Sequence, residues 1–345
     1  MNINMDTDSK KWLTTLLGKN VRFDEPMSGH TSFRVGGLAD VYAAPENLET
    51  LKALISWAMQ KSIQYTIIGG GTNLLVRDGG IRGIVIVLTK CLDGHKLPRT
   101  ETEKDRVTIT VRAGMRLQNL CRFAIADGLK GMNFALGIPG TVGGAVRMNA
   151  GTAYGSMETA LDSVNVLLPT GQVRTVGKKD MDFEYRKLSW NFHDLPLTTK
   201  NENRTTKHKT QNTKHSQPVI LDGKFTLYPA DPEKLKKEAE DILRIRRKKQ
   251  PTKLPSAGCF FKNPSLFCKN GVYRKSAGEL IDLAGLKGKR IGGAEISPRH
   301  ANFIINRDRA KAADILALAE LARETVSEMF DVKLEPEVKI IGEQE

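Results

Sequence analysis

Two glycine-dense stretches set what chemistry this sequence could do. Residues 137–155 read GIPGTVGGAVRMNAGTAYG, with glycine at 137, 140, 143, 144, 151 and 155. A glycine inside a helix or strand costs about 0.5–1 kcal/mol relative to alanine. Such density therefore marks main chain that must come close to something else. Bare N–H groups aimed at one place suit a phosphate chain. A second cluster, Gly69-Gly70-Gly71-Thr72-Asn73, directly follows the apolar run Tyr65-Thr66-Ile67-Ile68. Together the two suggest one extended ligand held between glycine turns, with its diphosphate in the middle. Two tight turns without a ligand are the plain alternative.

Composition bounds the rest. A chain of 345 residues allows two or three domains, and 40% apolar content can build real cores. The longest apolar runs, such as 84–88, fall far short of the ~20 residues of a membrane span. No basic head followed by an apolar segment opens the chain, so no secretory leader is expected. Cys91, Cys121, Cys259 and Cys268 show no C-x-x-C spacing, which argues against a metal site or a disulfide framework. A soluble cytoplasmic protein is expected. The net charge of +14 is concentrated in Lys200–Lys214 and Arg244–Lys253, while aromatics make up only 6%. Without aromatics to stack bases, anionic small ligands or simply solvated lysines explain that charge better than nucleic acid.

The elements that must position the glycine turns read as α+β, strands and helices without regular alternation. Residues 1–30 are polar and uninformative. Thr31–Tyr42 reads as a short strand pair around Gly36-Gly37, and Pro45 opens a helix with Leu48, Leu51, Ile55 and Ala58 on one face. Strands are expected at 65–68, 84–88 and, by alternation, at Val107, Ile109 and Val111. Leu117, Leu120, Cys121, Ala124 and Ile125 make a helical stripe that stops at Gly128. Residues 161–168 and 173–176 form a hairpin. Leu197–Gln217 is almost free of apolar side chains, and the stretch 191–217 reads as a disordered surface insertion. Structure resumes with a strand at 219–227, then a helix from Asp231 and Pro232 with Leu235, Ala239 and Ile242 inward. Ser276 and Glu279 fit a capping box, and residues 302–306 fit a strand. Ile315, Leu318, Leu321, Ala322, Val326 and Met329 form an amphipathic stripe. Val332, Leu334, Val338 and Ile340 share one face of a closing strand.

Seven ordered motifs then point one way: IIGGGTNLL at 67–75, GIPGTVGGAVRMNAG at 137–151, FEYRKLS at 183–189, PSAGCFFKNP at 255–264, GLKGKRIGGAEIS at 285–297, HANFIIN at 300–306 and LEPEVKIIGE at 334–343. The chain resembles the UDP-N-acetylenolpyruvoylglucosamine reductase family, over roughly residues 30–343 apart from the polar insertion. The resemblance implies a two-lobed FAD-binding domain of the vanillyl-alcohol-oxidase/PCMH type (12–228) and a C-terminal α+β substrate domain (229–345). It implies bound FAD, NADPH as co-substrate, and reduction of the enolpyruvyl ether of UDP-GlcNAc-enolpyruvate for peptidoglycan synthesis. A monomer with no membrane or nucleic-acid partner is expected.

Site residues follow by position. FAD is expected against Gly69, Gly70, Gly71, Thr72, Asn73, Gly137, Ile138, Pro139, Gly140, Gly143 and Gly144, with Arg34 and Asp78 as further positions. Arg186 matches the family arginine that stabilises developing negative charge; on pattern alone an arginine after a tyrosine reads as a surface residue. Glu337 matches a glutamate beside the substrate, where alternation alone puts it on a solvated face with Glu335 and Lys339. Cys259 stands where the family usually has a serine proton donor. A thiol of pKa about 8.5 is largely protonated at neutral pH and a better acid than a hydroxyl, so the role survives the exchange. Tyr185, Lys253, Asn263 and His300 are the expected substrate contacts. The short linker between Pro251 and Ser256 is similar to the family branch with a reduced lid.

Overall fold

The computed structural model describes residues 5–92, 99–103, 105–191, 217–264, 266–268, 271–273 and 275–345. Residues 192–216, nearly all of the segment read as a disordered insertion, lie outside the described residues.

Structure begins earlier than the polar N-terminal stretch suggests. Asp6 accepts the Ser9 N–H at 2.6 Å and starts the helix Thr7–Leu17, which buries Leu13 and Leu17. Two apolar residues four apart already give a short helix an inner edge. The strand Val21–Pro26 then pairs antiparallel with Leu38–Ala43. Residues 31–42 thus hold one strand rather than the expected pair. Gly37 donates to the Arg77 carbonyl and accepts from the Met27 N–H, so the glycine pair bonds to other segments instead of closing a hairpin. Within the stretch Thr31 makes local turn contacts with Arg34 and Val35. Asn47 caps the helix Leu48–Gln60 by accepting the Thr50 N–H at 2.8 Å, which leaves Pro45 outside the first turn. That helix links Leu38–Ala43 to Tyr65–Ile68, and both strands flank Ile81–Val87 in parallel.

The larger sheet is antiparallel, in the order Val173–Gly177, Leu161–Leu167, Val219–Pro229, Arg106–Arg112, Arg99–Glu103. Val107, Ile109 and Val111 alternate inward, as a period of two requires. The helix Leu117–Ala126 supplies Leu117, Leu120, Cys121 and Ala124 to the same core. So does the helix Pro232–Lys249, through Ala239 and Ile242. A sequence division at 228/229 puts that helix in the second unit, yet its packing is with the first.

In the C-terminal unit, Arg290–Ile291, Ala294–Ile296 and Ile304–Asn306 form an antiparallel sheet sharing one apolar core with the helices Ala277–Leu283 and Ala312–Phe330. Ser276 and Glu279 close the capping box. Ile315, Leu318, Ala322 and Val326 are buried, whereas Met329, in the last turn, is exposed. Residues 332–341 are not one strand. Pro336 makes an isolated bridge to Phe261, and regular pairing starts only at Lys339–Ile341, because proline has no N–H to give a ladder. That last strand lies parallel to Leu74–Val76, so the chain end returns to the residues just after the first glycine turn. Among the described residues no helix is long and apolar enough to cross a membrane.

Candidate active site

The two glycine stretches meet. Thr72 Oγ1 donates to the Pro139 carbonyl at 3.3 Å, tying one turn to the other. A Cβ at Gly69 would come within 2.4 Å of Thr141 Oγ1, and one at Gly71, where φ is +62°, within 2.0 Å of the His30 carbonyl. Beyond them opens a cleft of about 470 Å³, lined by Gly69–Asn73, Ile138, Pro139, Gly140 and Gly144. At Gly144 an added Cβ meets only Thr141 Oγ1, at 3.4 Å, and would take cleft space instead. Bare main chain of this kind fits a dinucleotide's phosphates, which leave no room for side chains.

Two of the expected cofactor glycines serve packing instead. Gly143 does not line the cleft, and its Cβ would strike Ala113 Cβ at 2.7 Å. Gly137, also outside the lining, is covered by Arg246, whose Nη2 donates to its carbonyl at 3.2 Å. Asp78 is a helix cap: its carboxylate accepts the Ala312 and Ala313 N–H groups at 2.9 and 2.8 Å. Arg34 is exposed and away from the cleft lining.

The reactive side chains come from three loops. Tyr185 and Arg186 form the turn between Met181–Glu184 and Lys187–Trp190. Arg186 holds a left-handed backbone, φ +60°, a sparsely populated conformation for a long side chain. Its Nε donates to Glu337 Oε1 at 2.7 Å and its Nη2 to the Gly151 carbonyl at 3.0 Å. The guanidinium also lies 4.8 Å from the Tyr185 ring centre. Cys259 sits in a strip of chain clamped from both sides. Phe260 donates to the Asn302 carbonyl at 2.7 Å, and the Asn302 side chain both accepts from Phe261 N–H and donates to its carbonyl, each at 2.8 Å. On the other side Glu337 N–H donates to the Phe260 carbonyl at 2.7 Å. Asn73 Nδ2 then donates to the Glu337 carbonyl at 3.2 Å, joining the third loop to the glycine turn.

Cys259, Arg186, Glu337, Tyr185 and Asn263 all line the one cleft. Asn263 Oδ1 also accepts the Ala277 N–H at 3.1 Å. Lys253 and His300 do not line it. Lys253 is exposed, and His300 lies in a neighbouring recess with Ile245, Lys248, Lys249 and Arg299. Burial pushes the Cys259 thiol up to about 12, helped by the Glu337 carboxylate and opposed by Arg186 and Arg246. Burial also raises Glu337, against the opposing pull of Arg186. The site therefore offers a neutral thiol, a fixed guanidinium and a carboxylate around one space. Sequence reasoning missed Arg246, Arg147, Asn302 and Lys339, which line the same cleft. Arg246 showed only as part of a basic run, Lys339 only as part of a solvated strand face, and Arg147 and Asn302 only as letters within longer motifs.

Comparison with known proteins gives the family. Residues 250–341 match the C-terminal domain of UDP-N-acetylenolpyruvoylglucosamine reductase, and residues 39–177 match an FAD-binding domain. A UDP-N-acetylenolpyruvoylglucosamine reductase of Desulfosudis oleivorans is 42% identical, covering 98% of this chain and 100% of its own. One from Clostridium botulinum is 40% identical over 94% of each chain. The crystal structure of UDP-N-acetylenolpyruvylglucosamine reductase (MurB) from Thermus caldophilus superposes with a TM-score of 0.69 at 32% identity, over 93% of this chain and 99% of that one. The chain belongs to the UDP-N-acetylenolpyruvoylglucosamine reductase family.

Proposed function

We propose that this reductase takes electrons from NADPH and, as a cytoplasmic monomer, saturates the enolpyruvyl group of UDP-GlcNAc-enolpyruvate to give UDP-N-acetylmuramate. FAD bound along Gly69–Asn73 and Ile138–Gly140 would supply the hydride, received from NADPH and delivered to the terminal carbon of the double bond. Negative charge then develops on the neighbouring carbon and spreads into the substrate carboxylate. Arg186 answers that charge. A guanidinium is protonated at any working pH and forks onto a carboxylate, and its two hydrogen bonds to Glu337 and Gly151 fix where it points. Such pre-placed charge needs no reorganisation as the reaction proceeds.

Cys259 completes the addition: its S–H breaks, the proton goes to the carbanion, and hydride plus proton together saturate the bond. Its raised pKa keeps the thiol protonated at neutral pH and makes it ready to give the proton only to a strong base such as an enolate. Arg186 and Arg246 favour the thiolate left behind until solvent returns a proton. Glu337 holds Arg186 through its side chain and the Cys259 strip through its N–H. Tyr185 and Asn263 are the substrate contacts within the cleft, with Lys253 and His300 outside it.

The observation that carries this reading is the convergence of Cys259, Arg186 and Glu337 on the cleft that the glycine turns line. The test is a two-stage anaerobic titration of the yellow protein. NADPH should bleach it, and the enolpyruvyl sugar nucleotide should restore the colour. Failure of either stage in the wild type would end this reading.

A further inference from the structure

We propose that Arg147 and Lys339 form a phosphomonoester site on the cleft wall, that it takes the 2′-phosphate of NADPH, and that it sets the choice between NADPH and NADH. This assignment rests on the reductase reading above.

Arg147, Arg186 and Lys339 line the cleft, and Lys187 and Lys262, outside the lining, stand near enough to act on Lys339. Three have their own carboxylate. Arg186 pairs with Glu337 at 2.7 Å, Lys187 with Glu184 at 2.6 Å, and Lys262 with Glu335 at 3.2 Å. The other two have no such partner among the described residues. Arg147, closing the helix Val142–Arg147, donates to the Leu188 carbonyl at 2.8 Å and to Gln217 Oε1 at 3.0 Å. Both acceptors are neutral, so they aim the guanidinium without cancelling its charge. Lys339 stands opposite Leu74, immediately after the glycine turn, and its ammonium makes no ion pair or hydrogen bond among the described residues. Lys339 is exposed; partial desolvation, then the like charges of Lys262 and Arg147, hold its ammonium below its ordinary pKa, with the Glu337 carboxylate pulling the other way. An anion between the two would relieve both.

The chemistry of the anion follows from what the two nucleotides share. Each carries a diphosphate, and each must bring its reacting carbon to the same place, so a diphosphate subsite could not tell them apart. Only NADPH carries a monoester, with about −1.5 to −2 charges at pH 7, which suits two cations that no carboxylate pairs directly among the described residues. Other cations for a diphosphate stand on other elements: Arg246 in the cleft and Lys248, Lys249 and Arg299 in the adjoining recess.

Calorimetry on the flavin-loaded protein, with adenosine 2′,5′-bisphosphate, 5′-AMP and UDP as probes, tests this directly. Charge-assisted bonds of this kind give the bisphosphate about 10–100-fold tighter binding than 5′-AMP. In the Arg147→Gln/Lys339→Gln double variant that advantage should vanish, and the NADPH-over-NADH ratio of kcat/KM should fall by the same factor. Arg147→Lys, which keeps the charge, should retain most of the preference. Equal weakening of both adenosine probes, or a loss that falls on UDP instead, would overturn the proposal. An error in the reductase reading has a different signature, namely no bleaching by either dinucleotide, and the calorimetric contrast still decides the site.

Discussion

The cleft has two walls made on different principles. One is main chain: Gly69–Asn73 and Ile138–Gly140 present bare backbone, with Thr141 so close to Gly69 and the His30 carbonyl so close to Gly71 that neither position has room for a Cβ. The other is side chain: Cys259, Arg186 and Glu337 come from three loops brought together by long-range hydrogen bonds. On the first wall function lies in what is missing, so any added atom interferes. On the second it lies in particular atoms, so exchange of one group for a chemical equivalent is tolerated. Damage to the first wall should appear as loss of cofactor, and damage to the second as loss of one chemical step.

The sharpest test of that difference is Cys259→Ala. Removing a general acid costs typically about 10²–10⁴-fold, and the whole loss should fall on reoxidation by the sugar nucleotide, with bleaching by NADPH within about twofold of wild type. Cys259→Ser should keep substantial activity. Equal losses in both half-reactions would place Cys259 on the binding side of the comparison. Gly71→Ala should do the opposite. A left-handed backbone costs an ordinary residue about 1–2 kcal/mol, and the Cβ overlaps the His30 carbonyl as well. The expected outcome is a lower Tm and a pale protein, read from the flavin-to-protein absorbance ratio. Gly144→Ala, which meets only Thr141 Oγ1, should lower flavin content while leaving the Tm of the flavin-free protein unchanged. If it lowers that Tm too, Gly144 is a packing glycine like Gly143.

This contrast also explains what the sequence made legible. A steric demand is local and is written as residue type, so both turns could be found from glycine alone. Residue type does not say what is close, however, and Gly143 against Ala113 looks the same as Gly140 at the cleft. Period-two strands such as Arg106–Arg112 were equally plain, because burial alternates along one sheet face. Residues 332–341 carry the same alternation, and Pro336 breaks the ladder all the same. The helix Thr7–Leu17 was obscured by its polar surface. The roles of Arg246 and Asn302 were illegible for a further reason. Each acts on a segment distant in the chain, Gly137 for the one and Phe260–Phe261 for the other, and nothing in a single sequence records such a pairing. Arg186, Glu337 and Cys259 were singled out only by resemblance to a family.

Asn302 gives a milder test of the side-chain wall. It is 2% exposed, touches the Phe261 main chain through both side-chain ends, and positions Cys259 without being a proton donor. Asn302→Ala leaves a buried N–H and a carbonyl unpartnered, a cost of about 1–3 kcal/mol each. Reoxidation by the sugar nucleotide should slow by more than NADPH bleaching does, and the solvent deuterium isotope effect on that step should rise as proton transfer becomes limiting. Equal slowing with no change in isotope effect would mean that Asn302 only supports the fold.

The smallest effect is in pH. A thiol ionises in the unfolded chain with a pKa near 8.5, while in the folded protein Cys259 is pushed up to about 12. The unfolded state therefore loses its proton first. The contribution of this group to stability is complete below the unfolded pKa and declines as pH rises through the interval up to the folded value. Denaturant midpoints should fall more steeply above pH 9 for the wild type than for Cys259→Ser, whose hydroxyl does not titrate there. Alkylation by iodoacetamide should likewise be much slower at Cys259 at pH 8 than at a free thiol. Parallel pH curves for the two proteins, together with fast alkylation, would mean that the thiol is already partly ionised. A thiolate could not hand a proton to the enolate, and the side-chain wall would then need another acid.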